Sequence, residues 1–118
     1  MPYSDSHERK PISSKCSING RIYVIDILQF SNGCFASISE DQNPRIGAIT
    51  VSIASGESST SSSLIPESKG SIFAKMIGEL LASKFHGIAI VSLYIREELD
   101  ADSMKTLINE VRNVLGKD

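Results

Sequence analysis

The stretch of the sequence that decides the fold is residues 68–95, which read SKGSIFAKMIGELLASKFHGIAIVSLYI. The apolar residues of its first half recur three and four positions apart, which is the spacing of one face of an amphipathic helix. This apolar face consists of Ile72, Phe73, Met76, Ile77, Leu80 and Leu81. Lys75, Glu79 and Ser83 fall on the other side of the predicted helix, where we expect them to face water.

Residues 88–95 of the same stretch are almost without polar side chains and are rich in β-branched residues. Such a run predicts a strand that is buried on both faces, near the middle of a sheet. Ser68 is placed to cap the start of the preceding helix, and Gly87 is placed where helices often end in a left-handed residue. One amphipathic helix therefore leads into one central strand.

Length and composition are those of an ordinary globular protein. The 118 residues are enough for one core, and the net charge of -2 offers no basic face for nucleic acid. No apolar run reaches the roughly 20 residues of a membrane span, and the N-terminus has no apolar signal region, so we expect neither membrane insertion nor secretion. Cys16 and Cys34 fit free thiols in a reducing compartment, which predicts the cytoplasm, with the nucleus as a further location.

The residues before Gly20 differ in character from those after it. Residues 1–19 contain two prolines, several serines and several charged side chains, with little apolar surface to bury. They predict a flexible N-terminal tail. Residues 20–118 predict a single α+β domain.

A hairpin is predicted at the start of this domain. Residues 21–30 form its first strand, because they are rich in Ile, Val, Tyr and Leu. Ser31-Asn32-Gly33 offers the Asn-Gly pair that a tight turn favours, since both central residues can take a positive φ. Residues 34–40 return as the second strand, and residues 41–44, which end in Pro44, predict a loop.

Two further strands are predicted before the helix. In residues 46–54, the apolar residues Ile49, Val51 and Ile53 alternate with Thr50 and Ser52, as in a strand with two unlike faces. Residues 58–63 are six consecutive Ser or Thr residues. We interpret them as a polar edge strand that ends at Pro66, and a mobile loop remains the alternative.

The end of the sequence predicts a second amphipathic helix, residues 101–115. Its apolar residues recur at helical spacing and are Met104, Leu107, Ile108, Val111 and Leu115. Acidic residues stand at its start, and Gly116 follows its end. The order of elements is β-β-β-(β)-α-β-α, which favours an α+β fold: a mainly antiparallel β-sheet with two amphipathic helices on one face.

Residues that could support catalysis are poorly arranged for it. The sequence has no G-x-S-x-G motif, and a nucleophilic serine also needs a nearby base. His7 lies in the predicted tail, and His86 lies beside a helix end, where a histidine more often interacts with the terminal carbonyls. Ser68-Lys69-Gly70-Ser71 could hold a phosphate on free N–H groups, but a simple N-cap is the favoured interpretation.

Metal-ligating residues are widely separated. Cys16, Cys34, His7 and His86 lack the paired spacing of zinc sites. The acidic residues Glu97, Glu98, Asp100 and Asp102 are interpreted as the solvated start of a helix rather than as a cation site. We therefore assign no catalytic, cofactor-binding or metal-binding residue and expect a protein that is not an enzyme.

The order of elements resembles that of the small proteasome assembly chaperones, and it is most like the family of proteasome assembly chaperone four. The resemblance spans residues 20–115 and includes the N-terminal hairpin. Its remaining features are the alternating strand Ile49-Thr50-Val51-Ser52-Ile53, the Ser/Thr-rich stretch ending in Leu64, the helix led by Gly70, the apolar strand at residues 88–93 followed by Tyr94, and the terminal helix.

This resemblance implies a non-enzymatic chaperone subunit that pairs with a related small subunit. The pair would bind α-type subunits of the proteasome core particle during ring assembly and leave before maturation. The alternatives are a roadblock- or longin-like scaffold that binds a small GTPase, and a small phosphate-binding enzyme. The scaffold folds usually begin with a helix, whereas this chain begins with a hairpin.

The faces of the predicted strands also indicate a partner. In residues 21–30, one side carries Ile22, Val24, Leu28 and Phe30, interrupted by Asp26, and the other carries Tyr23, Ile25 and Ile27. Two helices with one apolar face each can cover only one face of the sheet. We expect the other face to remain exposed and to pair with a second sheet in a homodimer or a heterodimer.

Overall fold

The computed structural model of the chain describes residues 11–55, 58–65 and 71–116. Its strands and helices are β1 (Ile12–Ile18), β2 (Arg21–Phe30), β3 (Gly33–Ser39), β4 (Ala48–Ser55), β5 (Ser58–Ile65), α1 (Ser71–Phe85), β6 (Ile88–Tyr94) and α2 (Ala101–Leu115). The α+β fold class is confirmed, and the Ser/Thr-rich segment is a strand, as we interpreted it.

The strands form one six-stranded sheet in the order β1-β2-β3-β6-β4-β5. All neighbours are antiparallel except β3 and β6, which run parallel, so the prediction of a mainly antiparallel sheet is confirmed. β6 lies between β3 and β4, as expected of a central strand, and β5 is an edge strand. The helix between β5 and β6 supplies the crossover that brings β6 back to β3.

β1 was not predicted, and it corrects the boundary of the tail. Residues of β1 pair along their whole length with β2, from Ile12 opposite Ile27 to Ile18 opposite Arg21. The turn between the strands is Asn19-Gly20, whose φ values of 53° and 79° are those of the hairpin turn that an Asn-Gly pair favours. The prediction of a tail over residues 1–19 is therefore wrong for β1, and residues 1–10 lie outside the described residues.

Two local turns also differ from the sequence-based expectation. Phe30 pairs with Gly33, so Ser31 and Asn32 occupy the β2–β3 turn, and neither has a positive φ. At the end of α1 the left-handed residue is His86, with a φ of 53°, rather than Gly87. A glycine is needed at Gly87 for a different reason, because a Cβ atom there would collide with the carbonyl of Asn32.

Both helices lie on one face of the sheet, as predicted. On this face, α1 packs across β4 and β6, and α2 packs against β1 at the opposite edge of the sheet. The core between helices and sheet includes Ile25, Ile38 and Leu93, which are register neighbours and almost fully buried. The predicted apolar face of α2 is confirmed: Met104, Leu107, Val111 and Leu115 are buried, and Ile108 is partly buried.

The buried side of α1 differs from the prediction. It consists of the small residues Ala74, Gly78 and Ala82 together with Ile77 and Leu81, whereas Ile72 and Met76 are exposed. The helix lies close to β4 at Gly78, where a Cβ atom would collide with the hydroxyl of Ser52. Small residues therefore face the sheet because they permit close approach, and two of the larger apolar residues face outward.

Glu79 of α1 does not face water as we expected. It is half-buried, and its carboxylate accepts a hydrogen bond of 3.0 Å from the Ser61 hydroxyl of β5. The Ser61 oxygen lies 2.7 Å from that of Ser52 in β4, so a polar chain connects both strands to the helix. These contacts give the half-buried Ser61 hydroxyl partners in both β4 and α1.

Candidate interaction surface

In β4 the polar side chains face the helices and the apolar side chains face away from them, which is the reverse of the usual pattern of a strand in a core. Thr50 and Ser52 point toward α1 and are fully buried, whereas Ile49, Val51 and Ile53 point to the other side of the sheet, where Ile53 is 49% exposed. We call this side, opposite α1 and α2, the open face. An exposed apolar surface on this side of the sheet would be a candidate interaction site.

The apolar residues of β4 continue into neighbouring strands of the open face. Two rows cross the sheet in register: Leu28, Phe35, Ile90 and Val51, and then Phe30, Gly33, Ile88 and Ile53. Six large apolar side chains of this face are each 36% to 49% exposed: Ile22, Leu28, Phe30, Phe35, Ile53 and Ile88. At about 200 Å² per full side chain, they expose roughly 500 Å² of apolar surface, near the upper end for a typical monomer.

The exposed fractions of these side chains test two predictions made from the sequence. The expectation that one face of the sheet stays exposed and apolar is confirmed for the described residues. The expectation that β6 is buried on both faces is wrong, because Ile88 and Ile90 lie on the open face and only its opposite side, with Ala89 and Val91, is fully buried. Asp26 interrupts the apolar surface and accepts a hydrogen bond of 2.7 Å from the Ser13 hydroxyl.

The open face has a dent at its apolar end. Gly33 stands between Phe30 and Ile88 in the cross-strand row and contributes no side chain. Phe35 and Ile90, in the adjacent row, help to line the depression. A Cβ atom at Gly33 would collide with the Ile88 carbonyl, so the strands can lie side by side here only with a glycine.

The other end of the open face is covered by the loop between β3 and β4, residues 40–47. The Arg45 N–H donates to the Ser39 hydroxyl at 3.0 Å, and the Gly47 N–H donates to the Ser92 hydroxyl at 3.0 Å. The Arg45 guanidinium also lies 5.8 Å from the ring centre of Tyr94, within range of a cation–π contact. The loop therefore covers the polar end of the face and leaves the apolar end accessible.

An ion pair between Arg21, the first residue of β2, and Glu40, which follows β3, lies at the end of these two strands. The Arg21 guanidinium donates two hydrogen bonds to the carboxylate of Glu40, which is buried, and Glu40 also accepts the N–H of Arg96 at 2.8 Å. Burial alone would raise the pKa of Glu40, but the bonds from Arg21 and Arg96 outweigh it and hold the pKa below its ordinary value. This pair was not predicted, because it depends on the register of β2 and β3.

The two cysteines and the Tyr23 hydroxyl are kept in their neutral forms. Burial raises the pKa of the Cys34 thiol to about 11, and burial together with the charge of Glu110 raises the pKa of Cys16. Burial and the charge of Glu40 raise the pKa of Tyr23 to about 12. A thiol with a raised pKa is a poor nucleophile.

The acidic residues considered as a cation site lie at the start of α2. Asp100 caps the helix by accepting the Ser103 N–H at 2.7 Å, and this bond lowers the pKa of the Asp100 carboxyl. Glu97 and Glu98 are exposed, as is Asp102 in the first turn. Within residues 11–55, 58–65 and 71–116, no three His, Cys, Asp or Glu side chains come together as metal ligands would.

The other sequence candidates are not brought together with these groups. His86 is exposed at the end of α1. His7 and Ser68-Lys69-Gly70 lie outside the described residues, and Ser71 is the first residue of α1. Neither of the two described helices is long and apolar enough to cross a membrane.

Comparison with known proteins shows a likeness of structure rather than of sequence. The sequence matches no protein-family model and no curated protein sequence. The structure is similar to a chain in the crystal structure of a novel chaperone complex for yeast 20S proteasome assembly, with a TM-score of 0.68 and 10% sequence identity. The likeness covers 92% of this chain and 95% of that chain. This chain therefore shares its fold with that chain.

Proposed function

We propose that this chain is a non-enzymatic subunit of a proteasome assembly chaperone, related to the branch of proteasome assembly chaperone four. In the proposal it pairs with a related small subunit through the open face. The pair binds α-type subunits while the core particle assembles in the cytoplasm and nucleus, and leaves before maturation.

The observation that carries the proposal is the outward-facing apolar row of β4 on a chain with this fold. Thr50 and Ser52 are buried against α1 while Ile53 on the open face is half exposed. Burial of that apolar face against a second sheet about 10 Å away would remove it from water, which is a favourable contribution to association. The shared fold with a chain of a proteasome assembly chaperone complex supports the assignment of that second sheet to a chaperone subunit.

The chemistry of the side chains supports a role without catalysis. The cysteine thiols are held protonated, and the carboxylate of Asp100 is engaged in capping α2. We expect a His86→Ala variant to keep its biological function, because His86 lies exposed at the end of α1. Loss of function in a folded His86→Ala protein would favour the enzyme alternative.

Affinity purification of the tagged protein from its own cells, followed by mass spectrometry, tests the proposal. We expect one small related subunit and α-type proteasome subunits in the purified material, and no association with mature core particles. A Leu28→Asp variant should lose the small subunit, since Leu28 lies on the open face. Recovery of a small GTPase instead of proteasome subunits would favour the scaffold alternative and contradict the proposal.

A further inference from the structure

Resting on the proposed pairing through the open face, we propose that Asp26 selects the partner: the related small subunit presents a lysine or arginine side chain opposite the Asp26 carboxylate. A subunit without such a cation would leave the carboxylate covered and unpaired. The charge therefore gives the pairing a specificity that an apolar surface alone does not supply.

Asp26 lies where a second sheet on the open face must cover it. It follows Ile22 by four residues and precedes Leu28 by two on the same side of β2, and both of these apolar residues are exposed. Residues two apart on a strand are about 7 Å apart, and neighbouring strands are about 5 Å apart. A second sheet of more than one strand that packs on Leu28 therefore also covers the Asp26 carboxylate.

The Asp26 carboxylate is held in place without a cation beside it. Its side chain is half-buried, and one of its oxygens accepts the Ser13 hydroxyl at 2.7 Å, which connects it to β1. None of the ion pairs between residues that the structure describes includes Asp26. Complete burial of this carboxylate would be costly unless a group of opposite charge came to lie against it.

Lys15 is a basic residue of this chain on the same face. It follows Ser13 by two residues in β1, and its register partner is Val24 rather than Asp26. Its side chain is exposed on an edge strand and forms no ion pair with Asp26. We therefore assign the cation that the covered carboxylate needs to the partner, and Lys15 supplies a control for that assignment.

The position of Asp26 would also fix the register of the pairing. Asp26 stands in a polar cross-strand row between Ser13 and Ser37. The next row toward the apolar end contains Leu28 and Phe35. A partner cation opposite Asp26 would set how far along the strands the second sheet lies, whereas apolar rows alone tolerate a shift.

Binding between purified proteins tests the proposal. The probe is the small related subunit that the affinity purification recovers, produced separately and titrated with the full chain in a calorimeter. Asp26→Leu removes the charge and extends the apolar surface, so the sign of its effect is decisive. We expect its dissociation constant to rise at least about tenfold and to depend less on salt than that of the unmodified chain. For the control Lys15→Met we expect a change within about twofold.

A charge reversal identifies the cation of the partner. Asp26→Arg should bind more weakly than Asp26→Leu, because it places like charges together. The lysines and arginines on the sheet of the small subunit are then replaced by glutamate, one at a time. We expect one of these substitutions to lower the dissociation constant of Asp26→Arg at least about tenfold. Failure of all of them would overturn the proposal.

Circular dichroism establishes that each variant is folded, and Asp26→Asn replaces Asp26→Leu if the latter associates with itself. Binding of this variant as tight as that of the unmodified chain, or tighter, would overturn the proposal, since the carboxylate would only interrupt the apolar surface. Equal losses for this variant and Lys15→Met would assign the cation to this chain itself and would also overturn it.

The proposed pairing is tested separately by Leu28→Asp. If Leu28→Asp abolishes binding, pairing through the open face stands even where the role of Asp26 is overturned. If Leu28→Asp binds normally, or if no related small subunit is recovered, both proposals fall.

Discussion

The Arg21 guanidinium donates two hydrogen bonds, of 2.7 and 2.6 Å, to the two oxygens of the Glu40 carboxylate. The pair joins the first residue of β2 to the residue that follows β3. The same guanidinium donates to the Glu97 carbonyl at 2.8 Å, and Glu40 accepts the Arg96 N–H. One buried carboxylate therefore connects the β2–β3 hairpin to the segment between β6 and α2.

Arg21→Met should leave the Glu40 carboxylate buried without its main partner. We expect the free energy of unfolding at pH 7 to fall by about 2–4 kcal/mol, measured by urea denaturation. The matched control is Arg45→Met, because the Arg45–Asp41 pair is more exposed. Its loss should cost less than about 1 kcal/mol. Equal effects of the two substitutions would contradict a special role of the Arg21–Glu40 pair.

Acid should weaken the folded state through the same carboxylate. The pKa of Glu40 is lowered in the folded chain, so the folded state binds fewer protons than the unfolded state as the pH falls past the ordinary value of 4.5. The contribution of Glu40 is therefore present above that pH and is lost as the pH falls through the lowered pKa. Urea denaturation from pH 7 to pH 3 should show a smaller loss of stability for Glu40→Gln than for the unmodified chain. Parallel curves would disprove this.

The close approach of α1 to β4 can be tested with a double-mutant cycle. Gly78→Ala adds a Cβ atom that would collide with the Ser52 hydroxyl, so we expect a loss of about 1–3 kcal/mol in spite of the better helix propensity of alanine. In a Ser52→Ala background the same change should cost clearly less, because the colliding oxygen is gone. Equal costs in both backgrounds, measured by urea denaturation, would rule out this contact as the cause.

Ile27 and Leu28 are adjacent in β2 and face opposite sides, which makes them a matched pair. Ile27 is 1% exposed beneath the helices, whereas Leu28 is 36% exposed on the open face. Ile27→Asp buries a carboxylate without a partner and should prevent folding. Leu28→Asp should give a folded chain that no longer pairs. Circular dichroism and sedimentation measure the two outcomes, and a Leu28→Asp protein that pairs normally would refute the role of the open face.

The strongly periodic parts of the fold could be predicted from the sequence. The central strand β6 and the helix α2 follow from long apolar patterns that tertiary contacts reinforce. The strand β1 was missed because its outward residues are polar and its composition resembles a tail. Asn19-Gly20, between Ile18 and the strand β2, was a signal that could have revealed it.

Other features depend on contacts that no local pattern contains. By hydrophobicity, Ile72 and Met76 would be expected to be buried before Ala74 and Gly78. The smaller residues are buried against the sheet instead, because they allow the helix to approach it closely. The open face was predicted by counting helices against strand faces. The depression lined by Phe30, Phe35 and Ile88 could not be predicted, because it forms only when β6 lies beside β3.

The position of β6 in the sheet has a consequence for the order in which the chain folds. The strands β1 to β3 and the hairpin of β4 and β5 share no hydrogen-bonded ladder until β6 lies between them. β6 is the last strand to leave the ribosome, and its parallel pairing with β3 closes a long loop, which is slow. During synthesis the nascent chain therefore holds two separate sheet fragments with unpaired edges. This interval is when the chain is most exposed to aggregation and most dependent on general chaperones.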